Sequence, residues 1–306
     1  MSAAIKTRTG ADLDLGTGLH PAFIVNGKPI KRFWYAKYIA SHGTGGTCSV
    51  IPDVQPWTYV DYDTAKKACT DKGSGWHLTS GHEWAAAALW SIANNSVPRG
   101  NTHYGQSHEE HFETAIRGDG ETPGTNTGIG RSNTGSGPSS WNHDGTVAGI
   151  CDLVGNVLEW VDQLKLVDGL IISTADNDPS VDEANWISQE AFLDAVADIT
   201  LSDKVTIRDG VAGDSSNSGA SRHKLIADVT LSNSYTPNLL LRRLLIEFSA
   251  KPQDLGALYM RNYGERLPIR GGYWAYASSA GLGALHFNAS RLSSDSSIGF
   301  RPAFFE

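Results

Sequence analysis

Arg270-Gly271-Gly272-Tyr273-Trp274, then Ala280-Gly281, then Ile298-Gly299-Phe300-Arg301: these three fragments decide how the chain is read. They pair large apolar or cationic anchors with glycines. Arg270, Trp274, Ile298, Phe300 and Arg301 are residue types that hold a fold when buried or paired. Gly271, Gly272 and Gly299 allow backbone that a side chain would forbid. Between the fragments the composition is different. From Tyr273 to Ser297 there is no Lys, Glu, Gln or Met, and Trp274 is the sole Trp. Ser and Ala dominate there, with Tyr, His and Asn among them, a mixture that supplies rigid amphipathic contact area and adaptable hydrogen bonds.

Upstream, two further fragments stand out: Gly73-Ser74-Gly75-Trp76-His77-Leu78-Thr79-Ser80-Gly81-His82-Glu83-Trp84, and Asp152-Leu153-Val154-Gly155-Asn156-Val157-Leu158-Glu159-Trp160. Ser80 and Glu83 have the spacing of a capping box, which predicts a helix from Ser80 to about Asn94-Asn95, with Trp84, Ala87, Ala88 and Ile92 as its stripe. Asp61 is placed to cap a second helix over Tyr62–Lys72. Its apolar face is Tyr62, Ala65, Ala68 and Cys69, and Gly73 stops it. Residues 22 to 40 read as a hairpin turning at Asn26-Gly27. From Pro98 to Ser140, Gly, Ser, Thr and Asn predict a long structured loop. Residues 165 to about 258 read as an insertion. It is expected to hold a helix starting near Ser188, with Phe192, Leu193, Val196 and Ile199 inward, a Gly/Ser loop from Gly210 to Ser221, and a helix from Pro237 through Phe248.

Composition bounds the function. The chain has 306 residues, 40% hydrophobic and 19% charged, enough for a sizeable core. A net charge of -8 and the lack of a Lys/Arg run argue against nucleic acid. The longest apolar runs, such as Leu239–Leu241, are too short to span a bilayer, so no membrane insertion is expected. No apolar signal-peptide core follows Met1, which predicts a cytoplasmic or virion (tail or fibre) protein. The three cysteines, Cys48, Cys69 and Cys151, match no CxxC motif. Cys69 and Cys151 read as buried hydrophobes; Cys48 follows a Gly/Thr loop where exposure is allowed.

Taken together, the motifs resemble the formylglycine-generating-enzyme-like (sulfatase-modifying factor) family of C-type lectin folds, over residues 20 to 165 and 258 to 306. Within it the match is nearest the variable proteins of diversity-generating retroelements, whose C-terminal segment is rewritten by adenine-directed mutagenesis. Codons ending in C after such mutation encode none of Lys, Glu, Gln, Met or Trp, in keeping with the composition of 273–297. The resemblance implies an α+β C-type lectin fold: an N-terminal segment 1–20 and a domain 21–306, with the insertion at about 165–258 and a variable region at about 270–301. It implies a scaffold of Arg270, Gly271, Gly272, Trp274, Ile298, Gly299, Phe300 and Arg301. It also implies changeable, outward-facing positions at Tyr273, Ala275, Tyr276, Ser279, His286, Asn288, Ala289, Ser293, Asp295 and Ser297.

The implied function is binding a protein or glycan on a host or target cell, in viral attachment, with no cofactor and no metal; oligomeric assembly is left open. Two alternatives are an enzyme of the sulfatase-modifying class and a structural virion protein. The enzyme relatives act through C-terminal cysteines, and none follows Cys151 here. His103, His108, Glu109, Glu110 and His111 are the densest group of ligand-type side chains, yet lack HExxH spacing, so a loop is expected there. Glu159 resembles a calcium-binding segment of some relatives; a turn in which its carboxylate accepts backbone amides is the preferred reading.

Overall fold

The computed structural model describes residues 1–194, 199–202, 221–248, 250 and 255–306. Both helices read from capping chemistry form. Helix α1 is the N-terminal Ser2–Thr9; α2 is Tyr62–Thr70, with Asp61 accepting the Thr64 amide at 2.8 Å and Tyr62, Ala65, Ala68 and Cys69 buried. Helix α3, Gly81–Asn94, carries the complete Ser80/Glu83 capping box and ends at Asn95 in the left-handed region. The hairpin forms only at its tip: Ile24–Val25 pairs with Lys28–Pro29 across Asn26 and Gly27, both at positive φ.

Most of the remaining regular structure is β-strand, which makes the molecule α+β. One six-stranded sheet runs Ser221–Leu225, Ala257–Arg261, Leu285–Phe287, Ile269–Arg270, Leu158–Trp160, Ile298–Phe300. A second six-stranded sheet is built chiefly from the insertion, with Glu265–Arg266 at one edge. A three-stranded sheet places Pro302–Phe304 between Trp34–Tyr35 and Trp76–Leu78. The C-terminal frame thus pairs with strands from both earlier parts of the chain.

The insertion departs from expectation. The segment from Ser188 is strand Ile187–Asp194, not helix; Val196 lies outside the described residues. Ala191, Phe192 and Leu193 are all buried, because strands Leu170–Ser173 and Thr200–Ser202 flank this segment. A short, continuously buried run fits either element by periodicity, and here pairing decides. A bulge at Glu190, with φ 52°, re-registers the strand. The Gly210–Ser221 loop lies outside the described residues, save Ser221, which starts a strand. The helix expected over Pro237–Phe248 shrinks to α4, Leu239–Arg243, capped by Asn238; Leu245 turns to positive φ and ends it. Nor is the insertion a separate unit. Its Leu166, Ile171, Leu193, Leu241 and Leu244 share one core with Trp84 and Leu89 of α3 and Leu282 and Leu285 of the C-terminal segment.

Among the described residues no helix is long and apolar enough to cross a membrane. All three cysteines are buried free thiols, including Cys48, which sits in the core under α2 with Cys69 instead of on a loop surface. The sequence around Cys48 shows the preceding Gly/Thr turn, but not that strand Cys48–Ser49 is folded inward beneath that helix.

Candidate functional site

The scaffold residues are held as their types demand. Arg301 is fully buried, and every N–H of its guanidinium is used. Nε and Nη2 donate to the two Glu159 oxygens at 2.9 and 2.8 Å, Nη1 to the carbonyls of Ala36 and Lys37, and Nη2 also to that of Cys151, each at 2.9 Å. Glu159 is therefore the counter-ion of Arg301. Both its oxygens are taken by Arg301 and, among the described residues, no backbone amide donates to them, which corrects the turn expected for it. Burial works against the Arg301 charge, but Glu159 outweighs it and holds the guanidinium above its usual range.

Arg270 is buried differently. Its Nη atoms donate to the carbonyls of Leu244, Leu245 and Gly283, it meets no carboxylate among the described residues, and burial lowers its pKa to about 9. The end of α4 thereby solvates a frame arginine, so the insertion completes the scaffold. Gly271 and Gly272 both have positive φ, and a Cβ on Gly272 would stand 2.6 Å from that of Ala280. Gly299 differs from expectation: its φ is not in the left-handed region, and it is required by space, since a Cβ would lie 3.1 Å from the Trp57 carbonyl oxygen and from Val157. Trp274, Ile298 and Phe300 are buried.

Two of the ten expected changeable positions do not face outward. His286 is 3% exposed and Ala289 is 7% exposed. Ala289 belongs to the cluster of Trp160, Leu267, Ile269 and Phe300. His286 lies mid-sheet between neighbouring strands and beneath Tyr276, and burial, helped by nearby His223, lowers its pKa to about 3. Asp295 is exposed, whereas Tyr273, Ala275, Tyr276, Ser279, Asn288, Ser293 and Ser297 are half-buried. Ser293 and Asp295 are also engaged locally. Ser293 Oγ accepts the Ser290 amide, and Asp295 Oδ1 accepts the Ser297 amide and hydroxyl at 2.9 and 2.8 Å.

The structure gathers Tyr273, Tyr276 and the buried His286 into one aromatic stack. Tyr273 meets Tyr276 edge-on at 4.1 Å; Tyr276 stacks on His286 at 5.0 Å and on Tyr259 at 5.3 Å; Tyr259 stacks on His286 at 4.1 Å and on His223 at 5.0 Å. Burial first, then neighbouring phenols and Asp295, raise the Tyr273 and Tyr276 pKa values, so both stay neutral hydrogen-bonding groups. His223 and Tyr259 come from outside the C-terminal segment and were not expected. Their only sequence signal is an aromatic or imidazole at alternating strand positions, which does not reveal which strand they join.

The 98–140 loop braces this stack. Tyr104 donates its amide to the Trp274 carbonyl at 2.8 Å, and Ala277 donates to the Thr102 carbonyl at 3.0 Å. His103 and His111 stack on each other, and His108 bonds Thr102. Among the described residues no three His, Cys, Asp or Glu side chains gather as a ligand set. Arg291, unassigned from sequence, ties the segment to the remainder through Asp63, Glu183 and Glu265. No family model and no characterised protein sequence matches the chain.

Proposed function

We propose that the chain is a ligand-binding protein of the C-type lectin fold whose C-terminal segment is a retroelement-diversified recognition surface, acting in viral attachment to a host cell. The observation that carries this reading is a division of labour in one segment. Arg270, Trp274, Phe300 and Arg301 are buried and bonded, while Tyr273, Ala275, Tyr276, Ser279 and Asn288 alternate with them and reach the surface. The lectin-type architecture is supported by the closing strand Pro302–Phe304, which pairs with both Trp34–Tyr35 and Trp76–Leu78. His286 and Ala289 are excluded from the diversified set, because buried substitutions disturb packing.

The test is a displayed library randomised at Tyr273, Ala275, Tyr276, Ser279 and Asn288. Most members are expected to fold, and selections against unrelated proteins and glycans should recover distinct binders. A library in which most members unfold, or which yields no binder, refutes the proposal and favours a structural virion role.

A further inference from the structure

Cys48 and Cys69 are distant in sequence and adjacent in the core. Cys48 lies on the strand Cys48–Ser49, and Cys69 on the inner face of α2. Both belong to one cluster with Val60, Tyr62 and Leu78, and neither is more than 1% exposed. Their surroundings are unequal. The Cys69 thiol donates to the Cys48 sulfur, and with the nearby Lys72 ammonium it holds the Cys48 thiol below its ordinary pKa, against the opposing effect of burial. Burial, and then that same bond, push Cys69 well above. Lys72 is fixed in place, because its Nζ donates to the Cys48 carbonyl at 2.9 Å. Cys151 differs from both. Its thiol meets the Gly149 carbonyl at 3.7 Å, and burial raises its pKa to about 11.

One sulfur disposed to ionise beside a second that donates a proton is the arrangement thiol–disulfide exchange requires. Cysteines acting only as small hydrophobes have no use for a cation at one of them. The cover over Cys48 is also thin on one side. Its strand pairs with Ser41–His42 alone, two residues against two, and the Thr44–Gly46 turn that joins them is exposed. Short elements of this kind open locally at far less cost than global unfolding. Such opening admits a small reagent slowly, although the closed chain shields both thiols.

We propose that Cys48 and Cys69 form a redox site, which a small dissolved disulfide oxidises to an intramolecular disulfide tying the hairpin to α2. The Cys48 thiolate attacks one sulfur of the reagent, forms a mixed disulfide and expels the other half as a thiolate. That thiolate takes up the proton Cys48 has lost. The Cys69 sulfur then attacks Cys48, gives up its own proton, and expels the second half as a thiol. The chain loses two electrons and two protons, and the reagent is reduced to two thiols. The bridge bears on the C-terminal segment through the start of α2. The Tyr59 amide donates to the Asp295 carbonyl at 2.9 Å and the Tyr62 amide to that of Arg291 at 3.3 Å, while Asp63 pairs with Arg291 at 2.8 Å. Oxidation therefore stiffens the support of the turn that carries Ser293 and Asp295. This chemistry does not depend on what the C-terminal face binds.

The full chain, reduced and without denaturant, is incubated for hours with excess oxidised glutathione, freed of the reagent and then unfolded for thiol counting and peptide mapping. One thiol, that of Cys151, should remain, and one peptide pair should link Cys48 to Cys69. The intact mass should fall by two hydrogens, with no glutathione retained. The thermal midpoint of the oxidised chain should rise by about 5 °C, and dithiothreitol should reverse the rise. Cys151→Ala should oxidise as the parent does. Cys69→Ala should trap glutathione on Cys48 faster than Cys48→Ala traps it on Cys69. Three thiols surviving in the parent, a bridge that includes Cys151, a stable glutathione adduct in place of the bridge, or a bridge formed only in urea overturns the inference. So does a midpoint that stays or falls on oxidation, or trapping in the reverse order. The parent alone decides the bridge, so the outcome stands even where a variant fails to fold.

Discussion

Replacing Arg301 with methionine tests whether the frame and the changeable positions are energetically distinct. The substitution removes five hydrogen bonds, and strands the Glu159 carboxylate, itself 1% exposed, without its counter-charge. Breaking one partner of a buried ion pair costs about 3–5 kcal/mol, because the remaining charge stays desolvated. The backbone carbonyls of Ala36 and Cys151 lose the Arg301 donor as well, while that of Lys37 keeps the Cys151 amide, so the upper half of that range applies. Glu159→Gln keeps the shape, strands the guanidinium instead, and should fall in the same range. Tyr273→Ser is the contrast. Tyr273 is half-buried against Trp274 and Tyr276, so truncation forfeits a few tens of square ångströms of apolar burial, about 1–1.5 kcal/mol. Urea titration followed by far-UV circular dichroism reads both effects as a shift in midpoint at constant slope. If Arg301→Met lost less than about 1 kcal/mol, or Tyr273→Ser lost as much as Arg301→Met, the separation of scaffold from surface would be wrong.

Three further outcomes follow from the buried groups. His286 has a folded pKa of about 3, below its unfolded value, so its stabilising contribution is complete above pH 6.5 and is lost as pH falls toward 3. His286→Phe should therefore gain on the parent by about 1.4 kcal/mol per pH unit through that window, measured by urea unfolding at stepped pH, and a pH-independent difference would contradict the assigned burial. The folded chain should resist a thiol reagent at Cys48, Cys69 and Cys151 and react at all three once unfolded; fast labelling of native Cys48 would contradict its place under α2. Ser80→Ala removes both the cap on the Glu83 amide and the hydroxyl bonded to Asn177 at 2.6 Å, and should cost about 1–2 kcal/mol in the same unfolding assay.

What the sequence disclosed was whatever local chemistry determines. Asp61 and Ser80 fix helix starts by accepting amides three residues on, so α2 and α3 are legible to within two residues. Asn26-Gly27 encodes a tight turn whatever surrounds it. The insertion was misread because Ala191-Phe192-Leu193 carries no periodicity of its own; only the strands on either side make it β-structure. The same reasoning explains the site. Arg270 and Arg301 look alike in the sequence, yet one is neutralised by Glu159, 142 residues away, and the other rests on carbonyls at the end of α4. His286 was expected outward from the spacing of the family that the segment resembles. It is buried because Tyr259 and Ile269 occupy the strands beside it and Tyr276 covers it, and neither fact is local.

The two arginines also show why such a segment could accept change. A surface that varies cannot rely on its own side chains for stability, so the fixed interactions must reach away from it. Arg301 reaches to Ala36, Lys37 and Cys151, Arg270 to the insertion, and Arg291 to α2 and to Glu183. Each links the segment to a different part of the chain, and none of the three depends on Tyr273, Ala275, Tyr276 or Ser279. The insertion thus has a structural reason to exist: without the end of α4, the buried Arg270 charge would keep the Gly283 carbonyl and lose those of Leu244 and Leu245. A deletion spanning the insertion should therefore destabilise the C-terminal frame itself, not merely remove a peripheral lobe.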